Sequence, residues 1–278
     1  QIAWSPDGKT LAYTCKKLFG KEYAVSTNSD ICLYDVETKK TTNLTIGMNG
    51  YDINPAFSPD GRQIIWLSME TPGYEADRNR LFLYDFVLKA KRDMSIGFSF
   101  SIESAKWSPD ARKIFFLAGY RATEQLYSLN TNSENKVVIR KITDDVGDHT
   151  DFTIAGTTLN PVIITSMMNI SMPTELFLVD DKSGKAINIS NINASLLQNI
   201  RMGKVEKRMV QATDGKEILT WVIYPPDFDS TKKYPALLYC QGGPQSTVSQ
   251  FFSYRWNFQI MADRKSTAEL QSPYVISY

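Results

Sequence analysis

Ser5-Pro6-Asp7-Gly8 follows a short apolar stretch ending in Trp4, and the same four-residue pattern recurs twice along the chain. The later copies are Ser58-Pro59-Asp60-Gly61 and Ser108-Pro109-Asp110-Ala111, which begin 53 and 50 residues after the copy before them. Apolar and aromatic residues flank every copy. Proline presets φ at the first central position of a turn, aspartate can bond its own backbone, and glycine accepts positive φ. Each copy therefore predicts the turn of a β-hairpin.

A second pattern alternates with these turns. Apolar stretches recur at 31–35, 81–85, 125–128 and 176–180, and each is followed by a polar turn and a strand-like stretch that ends in Thr or Ser. Each unit thus supplies about four short strands in a period of about 43–53 residues, which is typical of a β-propeller blade. An ordinary β-sandwich with a fortuitous repeat is the alternative interpretation.

The repeats predict a mostly β fold, with a partial β-propeller of about four blades over residues 1–200. The fourth unit lacks the Ser-Pro-Asp-Gly turn. Because each blade buries its face on a neighbour, we expect further blades upstream of Gln1, together with any secretion signal. Exposed blade faces also predict self-association into a homo-oligomer.

The charge balance argues against two classes of partner. The 278 residues contain 31 Lys and Arg against 30 Asp and Glu, for a formal net charge of +1. Such a chain builds no basic field for nucleic acid or an anionic membrane, and no apolar run approaches the roughly 20 residues that span a bilayer. Cys15, Cys32 and Cys240 fit no metal-binding spacing, so we expect buried free thiols; a Cys15–Cys32 disulfide across a hairpin is the alternative.

The last third of the chain, residues 201–278, has a different pattern. Val205–Val210 and Ile218–Tyr224 are strand-like stretches around a Thr-Asp-Gly-Lys turn. Tyr234–Cys240 is a nearly continuous apolar stretch, as in a strand covered on both faces of a sheet. It leads directly into Gln241-Gly242-Gly243-Pro244.

A repeat with Ser-Pro-Asp-Gly turns followed by a Tyr-Pro strand and Gly-Gly-Pro resembles the prolyl oligopeptidase family of serine peptidases, in particular its dipeptidyl-peptidase and acylaminoacyl-peptidase branch. The resemblance covers residues 1 to about 262, and it implies that residues 201–278 begin an α/β-hydrolase domain. It also implies that Gly243 and Gly242, with Gln241 where the family has His, form an oxyanion hole. From residue 263 to 278 the sequence is polar and departs from the family, and whether residues 273–278 form a strand is open.

The implied activity is hydrolysis of short peptides through an acyl-enzyme, without metal or cofactor. No Gly-x-Ser-x-Gly nucleophile motif occurs in the chain, so the resemblance places the Ser, Asp and His of the triad beyond Tyr278 and predicts that this chain alone is inactive. A propeller that binds proteins or glycans without catalysis is the alternative, and a hydrolase that has lost catalysis is a third reading.

His149, the single histidine, is the remaining candidate for catalysis. Asp148 or Asp151 could be paired with it as part of a triad, but adjacency in sequence does not give triad geometry. We therefore predict a solvated loop here. One histidine without a cysteine cluster also cannot complete a zinc site.

Overall fold

A computed structural model describes residues 1–74, 76–131, 137–157, 159–240, 247–263 and 272–277, and it is mostly β, as the repeats predict. Within these ranges the strands are β1 (Ile2–Trp4), β2 (Thr10–Cys15), β3 (Asp30–Asp35), β4 (Thr41–Asn43), β5 (Asp52–Phe57), β6 (Gln63–Ser68), β7 (Arg80–Asp85), β8 (Ala90–Asp93), β9 (Ile102–Trp107), β10 (Lys113–Gly119), β11 (Glu124–Asn130), β12 (Ile139–Lys141), β13 (Asp148–Gly156), β14 (Pro161–Asn169), β15 (Met172–Val179), β16 (Ala186–Asn188), β17 (Val205–Gln211), β18 (Glu217–Ile223), β19 (Ala236–Cys240) and β20 (Ser272–Ser277). The helices are α1 (Gly20–Val25), α2 (Ala194–Leu197) and α3 (Phe258–Asp263). No helix in the described ranges is long and apolar enough to cross a membrane.

The chain forms two compact units. One comprises residues 1–118, 126–142 and 153–163, and the other comprises residues 119–125, 143–152 and 164–278. The domain boundary at residue 200, drawn from the sequence, stays a prediction.

The strands of the repeats follow the predicted order. Over the described residues, β1–β4 and β5–β8 each make a sheet in which sequential strands pair antiparallel. The later repeats share one sheet, with the order β16-β15-β14-β13-β11-β10-β9 and β12 paired to β11. In this sheet β11 and β13 are joined by a single parallel residue pair, Glu124 with Asp148. That these groups are blades of a propeller, and how many there are, remains a prediction.

The Ser-Pro-Asp-Gly turns join the first two strands of their repeats and are held by local hydrogen bonds. The Ser5 hydroxyl donates to Asp7 at 2.6 Å and accepts the backbone N–H of Thr10 at 2.8 Å. Gly8 has a φ of +71°. The second and third copies repeat both bonds, so the hairpin prediction is confirmed. Ala111 takes the glycine position of the third copy at a φ of +58°, where a Cβ is strained.

A buried carboxylate lies at the start of β5. Asp52 is fully buried and accepts a hydrogen bond from the Trp66 indole nitrogen at 3.1 Å. Burial raises the pKa of this carboxyl to about 6, and hydrogen bonds from Ser68, Thr45 and Trp66 oppose the shift. Trp66 packs in a cluster with Ala12, Ile31 and Ile64, so a polar pair is built into an apolar core.

The thiols of β2 and β3 are free. Cys15 lies opposite Asp30, and Cys32 lies opposite Tyr13 in the same ladder. Cys32 is buried as predicted, whereas Cys15 is only partly buried. Burial and the neighbouring Cys32 raise the pKa of Cys15 to about 12, which keeps it protonated and weakly nucleophilic.

Candidate active-site loop and its support

The residues assigned to the oxyanion hole, Gln241, Gly242 and Gly243, lie outside the described residues. The chain is described up to Cys240, where β19 ends, and again from Thr247 to Asp263. The structure therefore shows how the two sides of this loop are held.

On the N-terminal side the loop is reached by β19, in a sheet with the order β17-β18-β20-β19. β17 and β18 form an antiparallel hairpin. Its register pairs Val205 with Ile223 at one end and Gln211 with Glu217 at the other. β20 pairs antiparallel with β18 and parallel with β19, in a register that sets Ala236 opposite Ser272. The segment that the sequence left open thus forms a strand. Parallel neighbours require a crossover connection, and α3 lies in it.

On the C-terminal side, the segment 247–252 is bound by contacts that are distant in sequence. The Gln250 side-chain oxygen accepts the backbone N–H of Ile170 at 3.4 Å, and the N–H of Phe252 points at the Met168 sulfur at 3.3 Å. Gln250 is buried, as is Val248. Val248 packs in an apolar cluster that contains, among its buried members, Ala122, Ile170, Trp221, Ile223, Phe258 and Ala262.

α3 contributes a second polar anchor. The Gln259 side chain accepts the backbone N–H of Gly203 at 2.7 Å and donates to the Gly203 carbonyl at 3.1 Å and to the Ser171 hydroxyl at 2.8 Å. Gly203 has no room for a side chain, since an added Cβ would lie 1.8 Å from the carbonyl oxygen of Tyr224. The Gln259 side chain therefore fixes the distance between α3 and the residue that leads into β17.

Asp148 is the group that the sequence analysis did not assign to this loop. It begins β13, is 2 % exposed, and its two carboxylate oxygens accept different donors. One accepts the backbone N–H of Glu124 at 3.1 Å, and the other accepts the Ser249 hydroxyl at 2.6 Å. Burial raises the pKa of the Asp148 carboxyl, while hydrogen bonds from Ser249 and from the backbone N–H groups of Gln250 and Glu124 oppose that rise.

His149 is buried at 1 % exposure, so the prediction of a solvated loop is wrong. It is the second residue of β13, and its ring contacts the Thr165 hydroxyl at 3.0 Å and the Asp145 carboxylate at 3.4 Å. The order hydroxyl, imidazole, carboxylate resembles a triad, but Thr165 is fully buried and no substrate carbonyl could reach it. His149 and Asp148 are successive strand residues, whose side chains leave opposite faces of a strand.

Sequence reasoning missed Ser249, Gln250 and Gln259 as support for the loop. Their weak signal was their position directly before and after the aromatic-rich stretch 251–258. Among the described residues, no three His, Cys, Asp or Glu side chains gather into a group that could hold a metal ion.

Comparison with known proteins gives close relatives. Dipeptidyl-peptidase 5 of Porphyromonas endodontalis is 53% identical over 262 residues, which is 94% of this chain and 37% of that protein. Dipeptidyl-peptidase 5 of Porphyromonas gingivalis is 42% identical over 263 residues, covering 95% of this chain and 37% of that protein. No family model matches the chain.

The solved structures include an acylaminoacyl peptidase of Pyrococcus horikoshii, with a TM-score of 0.73 over 99% of this chain and 39% of that one. At 17% sequence identity, this likeness concerns the fold alone. The chain thus spans about 37% of the length of the curated relatives it matches.

Proposed function

We propose that this chain belongs, with the dipeptidyl-peptidases 5 to which it is related, to the prolyl oligopeptidase family. It would be the part of a serine peptidase in which a β-propeller passes into an α/β-hydrolase domain. The observation that carries the proposal is the 53% identity to a dipeptidyl-peptidase 5 over 94% of the chain. The similarity is not confined to the generic β-repeats, because a match of that length must include most of residues 201–262. The parent protein would act on short peptides and release dipeptides.

The loop at 241–244 would stabilise the transition state. When a serine attacks a peptide carbonyl, negative charge develops on the carbonyl oxygen, and pre-oriented N–H donors lower the barrier. We assign those donors to the backbone N–H groups of Gly243 and Gly242, with Gln241 beside them. This assignment is supported by the end of β19 at Cys240, because ligands of α/β sheets bind beyond the carboxyl ends of parallel strands.

The nucleophile and its base would come from the parent protein beyond Tyr278. The chain has no Gly-x-Ser-x-Gly motif, and its single histidine is buried against Thr165 and Asp145. Neither feature supplies an activated serine. We therefore expect the 278 residues alone to be inactive. The reaction of the parent protein would use no metal or cofactor.

The β-repeats would restrict access to the site, which would favour short peptides over folded proteins. A propeller that only binds proteins or glycans is the less favoured alternative. Such a module has no use for a parallel strand leading to Gly-Gly-Pro, and the relatives that match residues on both sides of position 200 are named peptidases.

The proposal is tested by comparing the full-length parent with this chain on a chromogenic dipeptide substrate. We expect turnover by the parent that a serine-directed phosphonate abolishes, and no turnover by the chain above the uncatalysed rate. A full-length parent that is folded and yet inactive on dipeptide, acylated and longer peptide substrates would contradict the peptidase assignment.

A further inference from the structure

The connections between the second and third strands of the four repeats differ in length. They are residues 16–29, 69–79, 120–123 and 170–171, so they shorten along the chain from 14 residues to two. Each joins two neighbouring strands of a sheet, and the four connections are therefore equivalent positions of the repeat. In the predicted propeller, radial repetition of the blades would turn these equivalent ends towards one face.

The two short connections are covered by the C-terminal segment. Ala122 and Ile170 are buried and pack in one apolar cluster with Trp221 and Val248. The Trp221 indole N–H donates to the Ala122 carbonyl at 3.3 Å, and the backbone N–H of Ile170 donates to the Gln250 side chain at 3.4 Å. In the third and fourth repeats, this position is therefore an interface with the start of the proposed hydrolase domain.

The two long connections instead expose apolar side chains. The structure describes every residue of α1, which lies in the first connection, and none of them is buried. Phe19, directly before this helix, is 85% exposed, and Tyr23, Val25 and Tyr74 are each more than half exposed. Exposed aromatic side chains that lie together on a surface mark a site of interaction with another protein segment.

Polar contacts hold the long connections in place without burying these side chains. The backbone N–H of Gly73 donates to the Thr27 hydroxyl at 2.7 Å, which ties the two connections together. The Asp77 carboxylate accepts the backbone N–H groups of Glu70 and Thr71 at 2.9 and 2.8 Å. The aromatic side chains are therefore presented on a backbone that is fixed before any partner binds, which lowers the entropic cost of docking.

We propose that Phe19, Tyr23 and Tyr74 form a docking surface for the part of the parent's hydrolase domain that follows Tyr278. The inference rests on the proposed function, and it extends to the first two repeats the kind of contact that Ile170 makes in the fourth. The relatives have the length for such a partner, since the chain spans about 37% of each. A covered aromatic side chain removes about 150–250 Å² from water, so docking would bury a large apolar area.

The first experiment measures side-chain exposure in the full-length parent by hydroxyl-radical footprinting, relative to the unfolded protein. We expect the three residues of the docking surface to react several-fold more slowly in the folded parent. Val87 and Leu88, which are exposed on the turn between β7 and β8, are the matched control and should stay reactive.

Three results of the footprinting would overturn the proposal. Reaction of the docking surface as fast as that of Val87 and Leu88 would mean that nothing covers it. Protection that appears only with a bound peptide inhibitor would make it a substrate surface. Protection that is lost on dilution to the monomer would make it a contact between copies of the parent.

The second experiment identifies the segment that covers the surface. With the photo-crosslinking amino acid p-benzoylphenylalanine in place of Phe19, we expect a cross-link to a peptide that follows Tyr278, and a cross-link to any other part of the parent would overturn the proposal. Phe19→Ser combined with Tyr23→Ser should lower the thermal midpoint of the parent by several degrees, whereas Leu88→Ser should leave it unchanged. Equal midpoints for the double variant and the parent would contradict the docking contact.

The docking surface and the proposed function fail separately. A parent that hydrolyses the chromogenic dipeptide while Phe19 and Tyr23 react freely overturns only the docking surface. A folded parent without turnover, in which Phe19 is protected and cross-links beyond Tyr278, overturns the peptidase assignment and leaves the docking contact in place.

Discussion

The hydrogen bonds that hold the turns of the β-repeats at 1–190 join residues close in sequence, whereas those that anchor the C-terminal segment at 205–263 join residues far apart in sequence. In the repeats, each turn closes on itself, as when the Ser5 hydroxyl binds Asp7 and the N–H of Thr10. In the C-terminal segment, three of the polar contacts join residues 56 to 101 positions apart: Gly203 with Gln259, Trp221 with Ala122, and Asp148 with Ser249. The turns of the repeats could therefore form from local sequence, whereas the support of the candidate site exists only once distant segments have met.

This difference predicts unequal sensitivity to substitution. A change in a repeat turn alters a few local hydrogen bonds and the strain of one residue. A change at a long-range contact moves two segments, and one of them leads to the proposed oxyanion loop. The following predictions test this contrast. Each variant is compared with the unsubstituted 278-residue chain at matched protein concentration.

Gly203→Ala should have the largest effect on stability. The new Cβ would lie 1.8 Å from the Tyr224 carbonyl oxygen, which is backbone and cannot move aside without displacing β18 from β17. We expect a loss of about 3 kcal/mol or more in the free energy of unfolding, measured by urea denaturation. Gly119→Ala is the control, since its nearest neighbour is the end of the flexible Glu124 side chain at 3.2 Å. Comparable, small losses for both variants would show that Gly203 is not constrained.

Glu175→Ala should rank second. The carboxylate is 3 % exposed and accepts the backbone N–H groups of Ile192 and Asn193, the Asn193 amide and the Ser190 hydroxyl. We expect a loss of about 2 kcal/mol and faster hydrogen exchange at 190–193, with Glu175→Gln intermediate because it keeps one acceptor oxygen. Retention of slow exchange in the alanine variant would contradict this role.

The same carboxylate predicts a dependence on pH. Burial alone would raise its pKa, but the hydrogen bonds from Ser190, Asn193 and Ile192 outweigh burial and lower it from 4.5 to about 2. Because the folded-state pKa is depressed, the stabilisation is present above about pH 4.5 and is lost as the pH falls towards 2. The stability difference between the parent chain and Glu175→Gln should shrink over that window, and a constant difference would refute the assignment.

Asp52→Asn should have a smaller effect of the opposite sign. Burial raises the folded-state pKa of Asp52 from 3.8 to about 6, so the folded chain binds the proton more tightly than the unfolded chain. Stability should therefore fall as the pH rises from about 4 to 6, and the neutral amide should remove that dependence while still accepting the Trp66 N–H. The free energy of unfolding of the variant, relative to that of the unsubstituted chain, should therefore be higher at pH 7 than at pH 4 by on the order of 1–2 kcal/mol. Parallel pH profiles for the two proteins would contradict the shift.

The smallest effects should come from the repeat turns. Ala111 has a φ of +58° at the position where the first copy has Gly8, so Ala111→Gly should stabilise the chain by about 0.5–1 kcal/mol. Gly8→Ala should destabilise it by a similar amount, since no atom lies within 4 Å of the new Cβ and only backbone strain changes. A loss of stability in Ala111→Gly would show that local strain does not govern these turns.

The sequence predicted what depends on near neighbours. The hairpin turns, the stretches that became β3, β7 and β15, and the strand before Gly-Gly-Pro all follow from turn chemistry and apolar runs. The burial of His149 could not be predicted because it depends on Thr165 and Asp145 lying around the ring, and the surrounding residues are polar enough to suggest a loop. The Asp148–Ser249 contact gave no signal, since both residues are ordinary in their local sequence. β20 was left open because its place depends on β18 and β19.

The most direct test of the central claim, that residues 241–244 form the oxyanion hole of a serine peptidase, is kcat on a dipeptide substrate in the full-length parent carrying Gly243→Pro or Gly243→Ala. Proline removes the backbone N–H, whereas alanine keeps it and adds only a methyl group. Loss of one oxyanion donor typically costs about 10²–10³ in kcat. Gly243→Pro should lose about that much, Gly243→Ala far less at comparable thermal stability, and Gln241→Ala less than Gly243→Pro. Near-parental kcat in both Gly243 variants would mean that Gly242-Gly243-Pro244 is only a turn.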